Sequence, residues 1–234
     1  MATKPTSGQP NPDRTDLRSA VDSGRIRKGA RTRDAILAGA VELASVEGLE
    51  GLTVGVLADR LNLSKSGLYA HFGSKEELQI ATFGRARETF VEEAMRPALS
   101  EPRGLPRLWG LVLSYLSYLD RGVFRGGCFI SGAAAEFDTR SGPVHDAIVK
   151  AIADWRSSME RAVETAVEAG HLIPETDAAQ LGFELCSILQ GTNFQLQILG
   201  DRQVLKRCAR SVRERLAGFT TKSAPDMPIP AEWQ

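Results

Sequence analysis

Residues 61–78 read LNLSKSGLYAHFGSKEEL, and this stretch of eighteen residues holds two turns and two helix starts. Ser64 and Ser74 are helix N-cap residues, and Ser74 with Glu77 has capping-box spacing. Between them the spacing predicts a helix of barely two turns, 65–72, crowded with hydrogen-bonding side chains. Upstream, Thr53 caps a helix over 54–61. The spacing Ala58, Asn62, Leu68 then fits a helix-turn-helix: a small residue at a close helix crossing, a left-handed turn, and an apolar anchor. Leu57, Leu61, Leu68 and Phe72 face a core shared with a first helix over 32–47. In that helix Ile36, Ala40, Leu43 and Ala44 recur at helical spacing, and Gly48 supplies the stop.

That packing leaves Ser66, Tyr69 and Ala70 facing outward with Lys65 at their edge. Ser66, Gly67 and Ala70 are small, which suits a helix that presses into a major groove with its first residues at base edges. Lys65 and Ser66 are the candidate base-edge residues. Tyr69, His71 and Lys75 have the chemistry to grip phosphates, and the start of the next helix adds free N–H donors. The candidate DNA-contacting set also takes in Thr53, Ser64 and Gly67 at the helix starts, with Arg31 and Arg33. The last two belong to a basic run, Arg25, Arg27, Lys28, Arg31 and Arg33. Two readings of the run stand: a solvated arm, or an arm that follows phosphates or enters the minor groove. Net charge is zero over 234 residues, yet residues 25–75 carry +3 and residues 76–234 carry −3. The front end is therefore where an anionic partner docks.

Composition is that of a soluble globular chain, with 42% hydrophobic and 25% charged residues. The N-terminus has no apolar signal region, and three widely spaced cysteines fit a reducing cytoplasm. Residues 1–28 read as a flexible arm, 29–76 as a DNA-binding domain, 77–220 as a second helical domain and 221–234 as a flexible tail. Helices are expected from Ser74 to Pro97, then at 104–120, 128–138, 144–169, 177–199 and 202–219. The whole is all-α, about nine helices. The helix at 177–199 carries more apolar surface than one inner face needs and the stripe at 205–219 gives it a neighbour, so Leu181, Leu185, Leu189, Leu205, Val212 and Leu216 are the candidate dimer interface.

The stretch TRDAILAGAVELASVEGLEGLTVGVLADRLNLSKSGLYAHFGSKEEL, residues 32–78, resembles the TetR family of transcriptional regulators. Its Leu68-Tyr69, Phe72, Lys75-Glu76 and Leu78 run carries most of the likeness. GGCFISGAAAEFDTRSGPVHDAI, 126–148, looks like a TetR subfamily. Asn62 departs from the family's commoner Gly, and Gly55 stands where some relatives carry a DNA-contacting side chain. The resemblance implies a homodimer, a palindromic operator on double-stranded DNA, and a C-terminal domain that binds a small-molecule effector. A repressor released by its ligand is the expected function, with an activator on the same plan as the alternative and a small helical enzyme or a non-DNA-binding interaction protein as more distant ones. For the ligand cavity the candidates are Trp109, Tyr115, Tyr118, Cys128, Phe129, Trp155 and Phe183. Cys128, after two glycines at a helix start, is either a packing residue or an oxidation-sensitive thiolate. No cofactor is expected. His71, His145 and His171 lack metal-ligand spacing. Glu136 and Asp138 form an acidic pair, but no phosphate loop or nucleophile elbow accompanies them, which argues against an enzyme.

Overall fold

The computed structural model describes residues 32–233, so the expected arm at 1–28, with Arg25, Arg27 and Lys28, and also Arg31, lies outside the described residues. Among those described, nine α-helices account for the architecture. No strand forms among the described residues, and one isolated antiparallel bridge joins Leu172 to Thr220.

The first three helices follow from local chemistry. α1 covers 32–47 and is followed by Gly48 at φ +89°. α2 is Val54–Leu61, opened by Thr53, whose Oγ1 accepts the Val56 N–H at 3.1 Å. It closes on Asn62 at φ 52° and ψ 45°, the left-handed region an asparagine tolerates. α3 is Lys65–Phe72, opened by Ser64, whose Oγ accepts the Gly67 N–H at 3.1 Å. Ala58 is buried at the α2–α3 crossing, and Leu57, Leu68 and Phe72 close the core beneath α1. Each fully buried leucine or phenylalanine there stabilises by about 1.5–3 kcal/mol.

α4, Lys75–Phe90, starts at Ser74, whose Oγ accepts the Glu77 N–H at 3.1 Å. The chain then widens into a π turn, Val91–Met95, and tightens into a 3₁₀ turn, Arg96–Ser100. Pro97 explains the change: it lacks an N–H and its ring collides with the carbonyl four residues back. α5, Leu105–Asp120, is buried on most of its circumference. α6 is Phe129–Phe137, and α7 is Pro143–Glu168. α7 buries Val144, Ile148, Ala151, Trp155, Met159, Val163 and Ala166, the three-and-four spacing of one apolar stripe. α8, Ala178–Leu199, packs between α7 and α9, Gln203–Ala217.

Two contacts lock the N-terminal helices onto the rest. A Cβ on Gly126 would stand 1.7 Å from the Ser45 carbonyl oxygen, so only glycine lets the α5–α6 loop meet the end of α1. The Glu136 carboxylate, on the last turn of α6, accepts the Leu49 and Glu50 N–H groups at 3.1 and 2.7 Å.

The C-terminal segment corrects the expected flexible tail. Ile229 and Trp233 are buried, and the Trp109 indole N–H donates to the Pro228 carbonyl at 2.9 Å. Its Pro-rich composition conceals two apolar anchors, Ile229 in irregular chain and Trp233 in a short 3₁₀ turn, Ala231–Trp233.

Candidate nucleic-acid interface

α3 presents a polar, small-residue face. Lys65, Ser66, Gly67, Tyr69 and Ala70 are all exposed, while Leu68 and Phe72 hold the helix from beneath. Tyr69 is 53% exposed, far more than a packing tyrosine needs. Ser66 donates to Ser64 Oγ at 3.4 Å. Ser64 and Thr53 use their oxygens as caps, so each hydroxyl retains one proton to donate. His71 is half-buried with its ring tilted against Phe72. The Arg33 guanidinium sits 4.9 Å above the Phe72 ring, a cation–π contact that ties α1 to α3.

Lys75 is less free than the sequence reading expected. Its Nζ lies 3.1 Å from Glu50 Oε1, and Arg140 reaches the same oxygen at 3.1 Å. The Lys75 ammonium, with Gln79 and Arg140 adding to it, holds the Glu50 carboxyl below the usual carboxylate range. Gln79 is buried and donates to the Leu49 carbonyl at 2.8 Å. Sequence reasoning missed Glu50 and Gln79, and weighed Glu136 only as half of an acidic pair. Nothing local marks them, because their partners lie 25 to 87 positions away.

In the C-terminal domain the structure gathers Tyr115, Tyr118, Cys128 and Trp155 around Phe90. Tyr115 stacks on Trp155 at 5.8 Å, and Phe90 meets Tyr118 and Trp155 edge-on at 5.5 Å each. A small cavity of about 20 Å³ lies beside Tyr115, Cys128 and Trp155. Phe129 packs one step away, against Phe83 and Phe124. The Tyr115 and Tyr118 hydroxyls are buried without a hydrogen bond of good geometry. Burial, then the neighbouring Cys128, pushes both phenols above their usual range. Cys128 caps α6, its N–H donating to Asn193 Oδ1 at 3.0 Å. Burial likewise pushes the Cys186 and Cys208 thiols up to about 11.

Two of the expected ligand residues are elsewhere. Trp109 is committed to the C-terminal segment, and Phe183 points outward from α8. The expected dimer residues are also corrected. Leu181, Leu185, Leu189, Leu205, Val212 and Leu216 are at most 1% exposed within one chain and have no surface left to offer a partner. They form the seam between α8, α9 and α7. The outward apolar residues of α8 are Phe183, Phe194, Ile198 and Leu199.

A helix-turn-helix with an exposed second helix, carried on an all-helical domain with an aromatic core, defines the class of DNA-binding regulators. Residues 36–82 match the family described as "Bacterial regulatory proteins, tetR family", and residues 104–212 match "Tetracyclin repressor-like, C-terminal domain". The HTH-type transcriptional regulator TcmR of Streptomyces glaucescens is 34% identical over 79 residues, 33% of this chain and 35% of that relative's length. A TetR transcriptional regulator from Chloroflexus aurantiacus superposes with a TM-score of 0.77 at 26% identity, over 83% of this chain and 98% of that one. A putative transcriptional regulator from Saccharomonospora viridis, solved in complex with choline, shares the fold with a TM-score of 0.71 at 18% identity, over 82% of this chain and all of that one. The chain belongs to the TetR family of transcriptional regulators. No helix among the described residues is long and apolar enough to cross a membrane.

Proposed function

We propose that the protein is a homodimeric repressor that binds a palindromic operator through α3 and is released by a small molecule. The observation that carries this reading is the exposed α3 face, where Lys65, Ser66, Gly67 and Tyr69 stand clear of a helix anchored by Leu68 and Phe72. Lys65 and Ser66 reach base edges. Tyr69, His71 and Lys75 grip phosphates, Lys75 exchanging Glu50 for the DNA backbone. Phe183, Phe194 and Ile198 on the outer side of α8 supply the apolar surface for a second copy, giving two heads on one two-fold axis.

α6 is suited to carry the ligand signal. Its first turn, with Ile130 and Ser131, lines the aromatic cavity, and its last turn holds the α1–α2 connection through Glu136. A ligand that prefers a shifted α6 therefore favours a different placement of α3. Operator affinity then falls by the ratio of ligand affinities for the two states. The choline-bound relative supports a small-molecule site in this fold. The test is transcription from a reporter promoter carrying a selected operator. Expression that falls when the protein is present, and recovers with a ligand, supports repression. Expression that rises with the protein assigns an activator instead.

A further inference from the structure

A cavity of about 410 Å³ opens where α4 gives way to the π and 3₁₀ turns, against the start of α5 and the second half of α7. Its apolar lining is Val91, Met95, Leu111 and Ala162, together with the exposed Leu99. Its charged lining is four arginines, Arg96, Arg103, Arg107 and Arg161, and among the described residues no carboxylate lines it. Arg107 is fixed in place, Nε and Nη2 donating to the Glu101 carbonyl at 3.2 and 2.9 Å. Arg161 Nη2 donates to Ser158 Oγ at 3.2 Å, and Arg96 pairs with Glu92 at 2.7 Å. Arg103 makes no hydrogen bond or ion pair among the described residues.

Positive charges converging on one concavity repel each other, and an anion placed among them reverses the sign of that interaction. The planar guanidinium matches a carboxylate with two parallel hydrogen bonds, stronger than neutral ones. The volume and the apolar lining fit a small organic molecule rather than a bare inorganic ion. We propose that this groove binds a free organic acid, its apolar body on Val91, Met95, Leu99, Leu111 and Ala162 and its carboxylate held by Arg103, Arg107 and Arg161. The assignment rests on the ligand-responsive reading above and names the effector's chemical class. The groove shares Val91, Met95, Ser158 and Arg161 with a second cavity of about 180 Å³ that reaches Phe90, Ile130 and Trp155. A longer body therefore extends toward α6, the helix that holds the α1–α2 connection.

The test is calorimetric titration of the full chain, without DNA, using decanoate, decanol and decyltrimethylammonium as probes of one chain length and three charges. Decanoate binds saturably at one site per chain, decanol at least about tenfold more weakly, and the cation not at all. Arg103→Gln and Arg161→Gln each weaken decanoate about tenfold, with a melting profile that confirms a folded protein. Equal affinity for decanoate and decanol overturns the proposal, as does absence of saturable decanoate binding or unchanged affinity in both variants. Operator release is measured separately. Decanoate that binds without releasing operator leaves the acid site standing and removes its effector role.

Discussion

At Glu136 one carboxylate satisfies two backbone N–H groups that belong to the other end of the fold. Removing it leaves both donors without a protein partner at a half-buried junction. Glu136→Ala is expected to destabilise the protein by about 1–3 kcal/mol, while Glu136→Gln, keeping one acceptor oxygen, loses less. Denaturant unfolding reads the difference, and equal stability for all three proteins contradicts the junction described here. Lys75 carries a different prediction. If it leaves Glu50 for a phosphate, Lys75→Ala reduces the magnitude of the log-affinity against log-salt slope by ~0.9 and leaves base preference alone. An unchanged slope with altered preference removes the phosphate role. Asn62, Ser64 and Ser74 were legible in the sequence because caps and left-handed turns are made by neighbours in the chain. Glu50, Gln79 and Glu136 were not, because their partners come from distant segments.

α8 is apolar on two sides, and that is why its sequence misleads. Spacing alone groups Leu181, Leu185 and Leu189 as one face and Phe183, Phe194 and Ile198 as another. Which face turns inward is decided by where α7 and α9 stand. The two faces now predict opposite outcomes for the same kind of change. Phe194→Glu or Ile198→Glu yields a folded monomer in sedimentation, with its melting temperature little changed at low protein concentration. Leu185→Ala, within the seam, costs about 2–5 kcal/mol of stability. A folded monomer from Leu185→Ala, or a dimer surviving both charge insertions, contradicts the assignment of faces. The C-terminal segment escaped the sequence for a related reason: Ile229 and Trp233 have no periodic neighbours to reveal which surface they cover. Trp233→Ala is expected to cost about 3–5 kcal/mol in thermal or denaturant unfolding, and an unaltered transition rejects the docked segment.

For the whole molecule, the proposed arrangement joins an exposed α3 face for DNA, a nine-residue α6 between core and head, and an outward apolar α8 face for a second copy. The helix order, the helix-turn-helix and most helix limits were readable from caps, prolines and apolar spacing. The exposed face of α3 was readable too, because its anchors Leu68 and Phe72 are local, whereas the outward face of α8 was not, since it depends on where α7 and α9 stand. The central claim is that two copies read one symmetric DNA site through α3. Selection of duplexes from a randomised library by the purified full-length protein, at two salt concentrations, tests it most directly. The account predicts enrichment of a two-fold symmetric sequence whose half-sites lie about one turn apart, ~34–36 Å. It also predicts that preference at the half-sites changes with Ser66→Ala or Lys65→Ala. No enriched sequence, or an enriched sequence indifferent to both α3 substitutions, would contradict it.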